Sequence, residues 1–182
     1  MKDQSNLARF ADAVAFAAAK HRHQRRKDSD ASPYINHPIT LALILIVEGG
    51  IEDIDTVCAA VLHDTIEDTD TTREELCAAF GERVAAVVVE VTDDKSLPKE
   101  ARKAAQVQHA PHLSHAAKLV KLADKIANLQ DILERPPSDW SGERKGAYFA
   151  WAATVVNGLR GTHIGLETTF DELVAEGKKR FG

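Results

Sequence analysis

The sequence predicts an all-α protein, and three observations support this fold class. Apolar residues recur at spacings of three and four along most segments, and no segment shows the alternation of a strand. Capping residues precede these segments, and glycine or proline follows several of them. Aromatic residues are scarce and alanine is abundant, as in closely packed helices. With 182 residues, of which 44% are hydrophobic, we expect one helical domain over residues 1–182.

Helix start and stop signals divide the chain into predicted segments. Ser5, Ser114 and Ser141 each stand where a side chain caps a helix, and Thr71 and Thr72 each stand three residues before a glutamate in a capping-box spacing. Pro38 suits a first helical position, so we expect His37 just outside that helix. The predicted helices span about residues 5–23, 38–48, 53 to the motif at 63–68, 72–80, 82–92, 99–108, 114–135, 141–158 and 166–181.

The composition indicates the cellular compartment of the protein and excludes some classes of binding partner. The longest apolar run, residues 41–47, is far shorter than the roughly 20 residues that span a bilayer, and the polar start does not resemble a signal peptide. We therefore expect a soluble, cytoplasmic protein without a membrane partner. The net charge of −5 argues against general nucleic-acid binding, although residues 22–27 carry four cations. Cys58 and Cys77 lack a Cys-x-x-Cys spacing, so we expect reduced thiols.

A polar cluster follows the apolar run of the third predicted helix. His63 and Asp64 are adjacent, and Glu67 and Asp68 repeat the acidic pattern one turn later. If the helix persists that far, His63 lies over Glu67, and Asp64 lies over Asp68. These are metal-binding and acid/base groups, but solvated acids at a capped helix end would give the same pattern. Two adjacent residues do not hold an ion alone, so a metal site needs further ligands.

Asp124 lies inside an apolar helical segment, where an unpaired carboxylate is costly. Its partner is either a neighbouring lysine, Lys121 or Lys125, or a metal ion. Together with His37 and His63-Asp64 it forms a set of two imidazoles and two carboxylates. Such a mixed set suits Mn²⁺, Fe²⁺ or Zn²⁺ better than Ca²⁺, and it leaves positions open for water and substrate.

The order of these four residues resembles that of the HD-domain metal phosphohydrolases. The surrounding sequence is more specific, and it is similar to the hydrolase domain of the RelA/SpoT alarmone enzymes, especially the small stand-alone hydrolases related to the metazoan SpoT homologue. The resemblance implies an all-α HD-domain bundle with a metal-binding core at about residues 32–130. The motifs that carry it are Gln24-x-Arg26-Lys27, Pro33-Tyr-Ile-x-His-Pro38, Ala60-Val-Leu-His-Asp-Thr-Ile-Glu-Asp-Thr69, Phe80-Gly81, Val91-Thr-Asp93, Val120-Lys-Leu-Ala-Asp-Lys-x-x-Asn-Leu129, Asp139-Trp-Ser141 and Tyr148-Phe-x-Trp151.

The resemblance also implies a role for individual residues. The implied Mn²⁺ ligands are His37, His63, Asp64 and Asp124. Glu67 and Asp68 would orient and deprotonate the attacking water. The implied substrate contacts are Arg26 and Lys27 beside the purine base, Asn128 at the ribose or reacting phosphate, Tyr148 in the nucleotide pocket, and Lys99, Arg102 and Arg144 at the phosphates. His23 and Gln130 depart from the family pattern, which affects pocket shape rather than the metal ligands.

The implied activity is Mn²⁺-dependent hydrolysis of the 3′-diphosphate of guanosine 3′,5′-bis(diphosphate), with release of pyrophosphate. We expect no synthesis of this alarmone, because 182 residues leave no room for a synthetase domain. Two alternatives stay open. The same metal site would remove the 2′-phosphate of NADPH, or the pocket would serve a nucleotide-binding sensor without turnover. The complete set of ligands and acids argues against the sensor. The sequence does not indicate an oligomeric state.

Overall fold

Residues 5–182 are described in a computed structural model, and the first four residues of the predicted polar start lie outside this range. The described residues contain no β-strand, and an isolated bridge joins Arg25 and Pro33. The all-α prediction is therefore confirmed. The α-helices of this range are α1 (Asn6–Lys20), α2 (Asn36–Leu43), α3 (Ile54–Leu62), α4 (Thr65–Asp68), α5 (Arg73–Phe80), α6 (Glu82–Val91), α7 (Lys99–His109), α8 (His115–Glu134), α9 (Gly142–Asn157) and α10 (Ile164–Phe181). A π-helical turn (Ile44–Glu48) extends α2, and a 3₁₀ turn (Ala110–His112) follows α7.

Several helices start where their caps predict. The hydroxyls of Ser5, Ser114 and Ser141 each accept the backbone N–H three residues later at 3.2 Å. The hydroxyl of Thr72 accepts the N–H of Glu75 in the same way. These caps satisfy backbone donors that have no partner within the helix.

Helix α3 lies at the centre of the fold. It packs against α1, α2, α6 and α8, and all of its residues from Thr56 to Leu62 are buried. A short helix that is covered on all sides can be apolar all round, as this one is. The second long central helix, α8, packs against α3, α6, α9 and α10. The ends and flanks of these two helices therefore set the positions of the polar side chains between them.

The second helix begins earlier than predicted. It starts at Asn36 rather than at Pro38, so His37 lies in the first turn and not outside the helix. The N–H of His37 donates to the carbonyl of Tyr34 at 3.0 Å. This turn at residues 33–37 forms before Pro38, so the proline does not mark the first helical position.

The helix that carries the motif is interrupted. The stacking of His63 over Glu67 is expected only for a continuous helix, so it does not apply. Helix α3 ends at Leu62, and His63-Asp64 form a turn before the short α4. Two side chains explain the break, since Thr65 Oγ1 donates to the Leu62 carbonyl at 2.7 Å and His63 Nδ1 lies 2.9 Å from the Ala60 carbonyl oxygen. Side chains thus occupy carbonyls that a continuing helix would use.

Two further expectations concern thiols and membranes. Cys58 is buried and Cys77 is half-buried, and both thiols are free. Within residues 5–182, every helix is too short or too polar to cross a membrane.

Candidate active site

The central helices bring three of the predicted metal ligands together. His37 comes from the first turn of α2, His63 from the turn after α3, and Asp124 from the middle of α8. One ligand atom of each lies within 4.8 Å of those of the other two. His37 Nε2 is 3.2 Å from Asp124 Oδ1, and the two imidazole centroids are 5.3 Å apart. Asp64 adjoins this group, with Oδ2 2.8 Å from His63 Nε2. We call these four residues the ligand cluster.

The orientation of His63 fits metal binding. Its Nδ1 lies 2.9 Å from the carbonyl oxygen of Ala60, which only accepts, so Nδ1 carries a proton and Nε2 is the nitrogen that the neutral ring can offer to a metal ion. Nε2 is buried and has no hydrogen-bond partner among the described residues, although the Asp64 carboxylate is close. The lone pair of His63 Nε2 would face carboxylate oxygens, and a cation between these electron-rich atoms would stabilise the arrangement. The donor set of imidazole nitrogens and carboxylate oxygens therefore fits a divalent transition-metal ion.

The two histidines differ in their electrostatics. Burial lowers the pKa of His37, which keeps this imidazole neutral. Burial also acts to lower the pKa of His63, but the charge of Asp64 outweighs it and raises that pKa above its ordinary value. Because a metal ion needs a neutral imidazole, a proton on His63 competes with the ion.

Asp124 contacts one of the lysines considered from the sequence and also faces the ligand cluster. Lys125 Nζ donates to Oδ2 at 2.9 Å, and Oδ1 faces His37 and accepts from Asn128 Nδ2 at 2.6 Å. Burial alone would raise the pKa of Asp124, but the charge of Lys125 and the hydrogen bond with His37 hold it well below its ordinary value. The other candidate lysine, Lys121, donates instead to the carbonyl of Val91. The lysine thus neutralises one oxygen and leaves the other facing the cluster.

The two acids predicted to handle water have different surroundings. Glu67 Oε2 accepts the Asp93 N–H at 3.0 Å, and burial raises the pKa of Glu67. Asp68 accepts a hydrogen bond from Gln24 Nε2 at 2.7 Å and another from Lys95. Both acids are therefore held by the segment after α6, and Asp68 is held by the loop after α1 as well.

A cavity of about 440 Å³, which we call the mixed-charge cavity, adjoins the ligand cluster. It contains four of the predicted substrate contacts, Arg26, Lys27, Asn128 and Tyr148. Arg26 Nη2 donates to both Asn128 and Asp131, so hydrogen bonds run from Asp124 through Asn128 to Arg26. The remaining lining residues are Gln24, Arg25, Asp28, Tyr34, Asp68, Asp131, Ile132, Arg135, Pro137 and Trp140.

A second cavity of about 310 Å³ is strongly basic, and we call it the cationic cavity. It contains the other three predicted contacts, Lys99, Arg102 and Arg144. Two buried donors that line it, Arg102 Nε and Trp140 Nε1, have no hydrogen-bond partner within residues 5–182. Unsatisfied buried donors are costly, and an anionic ligand would accept from them. The charged residues that line it are Lys27, Lys99, Arg102, Lys103, Lys125 and Arg144, against the single acid Asp93.

The two cavities share part of their lining, and each is lined by a residue that bonds to Asp124 of the ligand cluster. Lys27, Trp140 and Tyr148 line both of them. Asn128, which bonds to Asp124, lines the first, and Lys125, which bonds to the same carboxylate, lines the second. Burial raises the pKa of Tyr148 to about 12, so its hydroxyl stays protonated between them.

Some residues at the site were not identified from the sequence. The hydroxyl of Tyr34 donates to Asp64, Gln24 donates to Asp68, and Lys95 donates to the other oxygen of Asp68. Tyr34 and Gln24 lie inside two of the motifs quoted above, so their positions were available as a signal. Lys95 lies in a polar loop, where no pattern indicated a contact. Trp140 was likewise seen only as part of a motif.

A helical bundle that brings histidine and aspartate side chains together in a group able to hold a metal ion defines a class of domain. Residues 13–147 match the HD domain family, and the chain belongs to that family.

Particular relatives cover nearly the whole chain. A Danio rerio protein named guanosine-3′,5′-bis(diphosphate) 3′-pyrophosphohydrolase MESH1 is 55% identical over 172 residues, which are 94% of this chain and 96% of that protein. The Homo sapiens protein of the same name is 55% identical over 169 residues, 93% of this chain and 94% of its own.

The fold is shared with a solved structure described as a metazoan ortholog of SpoT that hydrolyzes ppGpp and plays a role in starvation responses. The TM-score is 0.91 at 46% identity, covering 97% of this chain and 98% of the other. The resemblance predicted from the motifs is therefore confirmed.

Proposed function

We propose that this protein is a divalent-metal-dependent guanosine-3′,5′-bis(diphosphate) 3′-pyrophosphohydrolase. The observation that carries the proposal is the group formed by His37, His63 and Asp124, whose Asp124 bonds to a residue in the lining of each of the two cavities. The names of the relatives at 55% identity support the same substrate. We take the chain as one HD domain over residues 1–182, with its metal-binding core at about residues 32–130.

The two cavities suit the two ends of this substrate. A guanosine 3′,5′-bis(diphosphate) carries one diphosphate at the reacting 3′-oxygen and another at the 5′-oxygen. With the first at the ligand cluster, the second lies within reach of the cationic cavity, where Arg102, Arg144 and Lys99 provide positive charge. The purine nucleoside would occupy the mixed-charge cavity beside Arg26 and Tyr148. The basic cavity explains how an acidic protein would bind a polyanion.

His37, His63, Asp64 and Asp124 are the proposed metal ligands, and Mn²⁺ is the ion we propose. When bound, it would lower the pKa of a water molecule and polarise a phosphoryl oxygen. Asn128 would keep Asp124 oriented, because its amide already donates to Oδ1 of that carboxylate at 2.6 Å. Lys125 would keep the same carboxylate ionised from the opposite side.

The acids of α4 would manage protons. Asp68, between Gln24 and Lys95, would take the proton of the attacking water. The raised pKa of Glu67 suits a group that holds and returns a proton. The water oxygen bonds to the phosphorus nearest the ribose, and the bond from that phosphorus to the 3′-oxygen breaks. Pyrophosphate leaves, and the ribose 3′-oxygen receives a proton.

The test replaces His63 and Asp64 together by alanine and measures pyrophosphate release with Mn²⁺. We expect no turnover and an unchanged helical circular dichroism spectrum, whereas His112→Ala, an exposed histidine, retains activity. Retained Mn²⁺-dependent release in the double variant would contradict the site. Assaying NADPH for orthophosphate release separates the 2′-phosphatase alternative. Nucleotide binding that a chelator does not affect, without any product, would indicate the sensor.

A further inference from the structure

A buried histidine that the proposed reaction does not use lies beside the proposed base. His21, at the end of α1, is 2% exposed. Its Nδ1 is 2.6 Å from Gln24 Oε1, and Gln24 Nε2 is 2.7 Å from Asp68 Oδ2. His21, Gln24 and Asp68 therefore form a continuous hydrogen-bonded chain, which we call the relay.

The charge of Asp68 sets the direction of every hydrogen bond in the relay. An ionised carboxylate only accepts, so the amide group of Gln24 that faces it must be the NH₂. The amide oxygen then faces His21, and the imidazole must carry its proton on Nδ1 to donate to that oxygen. If the amide were reversed, its oxygen would face the carboxylate and lose that hydrogen bond, and its NH₂ would bond to His21 only in the Nε2–H tautomer. His21 thus fixes the orientation of Gln24, and Gln24 fixes one oxygen of Asp68.

The surroundings of His21 leave Nδ1 as its bonded nitrogen. Nε2 is buried and has no hydrogen-bond partner in the part of the chain that the structure describes. The ring packs against Tyr34 at a centroid distance of 4.9 Å, and the Tyr34 hydroxyl donates to Asp64. A packing role alone would be met by an apolar ring, whereas the 2.6 Å contact to Gln24 requires a donor.

The other partner of Asp68 differs from the relay in its exposure. Lys95 lies on the loop after α6, and its side chain is 48% exposed. A lysine with that freedom can exchange its contact for water or for a substrate phosphate. Gln24 is held at both ends and also lines the mixed-charge cavity. The relay is therefore the fixed support of this carboxylate.

We infer that Gln24 and His21 are positioning residues that orient the carboxylate of Asp68 toward the attacking water. This inference rests on the proposed function, because it assigns the relay to the base of that reaction. Neither residue touches the reacting atoms. The relay acts on turnover rather than on substrate affinity.

Gln24→Met tests the relay at nearly constant side-chain volume. We expect kcat for pyrophosphate release to fall about tenfold, with KM within about twofold, because a misplaced base loses rate rather than binding. Gln108→Met on the exposed face of α7 is the matched control and leaves kcat unchanged. If the wild-type protein turns over the substrate and Gln24→Met has an unchanged kcat, the proposed function stands and the inference about the relay is overturned. Absence of wild-type turnover would overturn both.

Gln24→Glu tests the relay through the pH dependence of kcat, which a change in packing alone would not shift. Its carboxylate would face Asp68, so the two acids would share a proton and the acid limb of the kcat profile would shift to higher pH. The other charged or titratable groups beside Asp68 are Lys95, Tyr34 and the adjacent Glu67, which this variant leaves in place. An acid limb at the wild-type position would contradict the relay.

His21 is tested by a pair of substitutions and by spectroscopy. His21→Asn keeps an N–H near the position of Nδ1 and should retain more kcat than His21→Phe, which keeps a ring without a donor. The ¹⁵N chemical shifts of the wild-type imidazole should report the Nδ1–H tautomer in the absence of substrate. An Nε2–H tautomer would overturn the relay even if His21→Phe fails to fold. Equal kcat in two folded variants would overturn it as well.

Discussion

The ligand cluster and the cationic cavity adjoin each other but are built in different ways. The cluster consists of short side chains on packed helices, and His37 and His63 are only 4% and 5% exposed. The cationic cavity consists of long side chains from α7 and α9, and the side chains of Arg102 and Arg144 are 28% and 43% exposed. The cluster atoms contact one another, whereas two buried donors of the cavity lack partners among residues 5–182.

This difference suggests that the ligand cluster serves the chemical step and that the cationic cavity serves substrate binding. Short side chains on buried helices have few rotamers, so the positions of their nitrogen and oxygen atoms follow from the packing of α2, α3 and α8. Long cations lose more conformational freedom when they meet a phosphate, but they adapt to its position. Substitutions in the cluster should therefore change turnover and metal binding, and substitutions in the cationic cavity should change KM.

Asp124→Ala is the largest expected effect. It removes a ligand and leaves the Lys125 ammonium, which is 3% exposed, buried without its carboxylate. We expect no measurable turnover and a loss of about 3–5 kcal/mol in the free energy of unfolding. Urea denaturation of the metal-free protein measures the second effect.

The double variant Asp124→Ala, Lys125→Met is the matched control. It removes the stranded charge, so it should recover most of the stability and none of the activity. Equal stability of the single and double variants would show that the ion pair does not hold this part of α8.

How far the sequence predicts this architecture depends on how local each feature is. Ser114 and Ser141 could be assigned as caps because each acts on an N–H three residues away. The candidate ligands could be proposed because Asp124, an acid in an apolar segment, needs a partner, and because the order of His37, His63-Asp64 and Asp124 resembles that of a known family. The break after Leu62 was missed because it depends on the Thr65 hydroxyl reaching a carbonyl that helical periodicity assigns to the backbone.

Contacts between distant segments were the least predictable. Gln24 reaches Asp68, and Tyr34 reaches Asp64, because the loop between α1 and α2 folds back over α4. No periodicity in that loop encodes such a path, since its conformation depends on tertiary contacts such as the bridge between Arg25 and Pro33. The fold and the ligands thus follow from local patterns, whereas the supports of the acids do not.

The pH dependence of metal binding is the second prediction. The pKa of His63 is raised above its ordinary value, whereas burial keeps His37 neutral. The ion must therefore displace one proton, and its affinity should fall about tenfold per pH unit below the pKa of His63. Calorimetry with Mn²⁺ in buffers of different ionisation enthalpy should show about one proton released. Release of two protons, or a Mn²⁺ affinity that does not depend on pH, would contradict the assignment of a raised pKa to His63 and a neutral ring to His37.

Arg102→Ala tests the role of the cationic cavity in substrate binding. Loss of a charge-assisted contact to phosphate should raise KM for guanosine 3′,5′-bis(diphosphate) about tenfold and leave kcat within about twofold. The wild-type KM should also rise with salt more steeply than that of the variant. Lys179→Ala on α10 removes an exposed cation outside both cavities and should change neither constant. A fall in kcat with constant KM would place Arg102 with the chemistry instead.

Tyr34→Phe gives the smallest expected effect and tests where the boundary between the two regions lies. Tyr34 lines the mixed-charge cavity with its ring, and its hydroxyl donates to Asp64 of the ligand cluster. Burial and the charge of Asp64 strongly raise the pKa of this phenol, so it remains a donor at every pH of interest. The phenylalanine ring keeps the cavity wall and removes only the hydrogen bond.

If the hydroxyl belongs to the cluster, Tyr34→Phe should lower kcat about fivefold, as expected for one lost hydrogen bond of about 1 kcal/mol, and weaken Mn²⁺ binding by a similar factor. KM for the nucleotide should stay within about twofold, because the ring that faces the cavity is unchanged. The opposite result, a raised KM with wild-type kcat and Mn²⁺ affinity, would show that Tyr34 acts through the cavity. The boundary would then run between Tyr34 and Asp64, so the ligand cluster would need no support from the loop after α1.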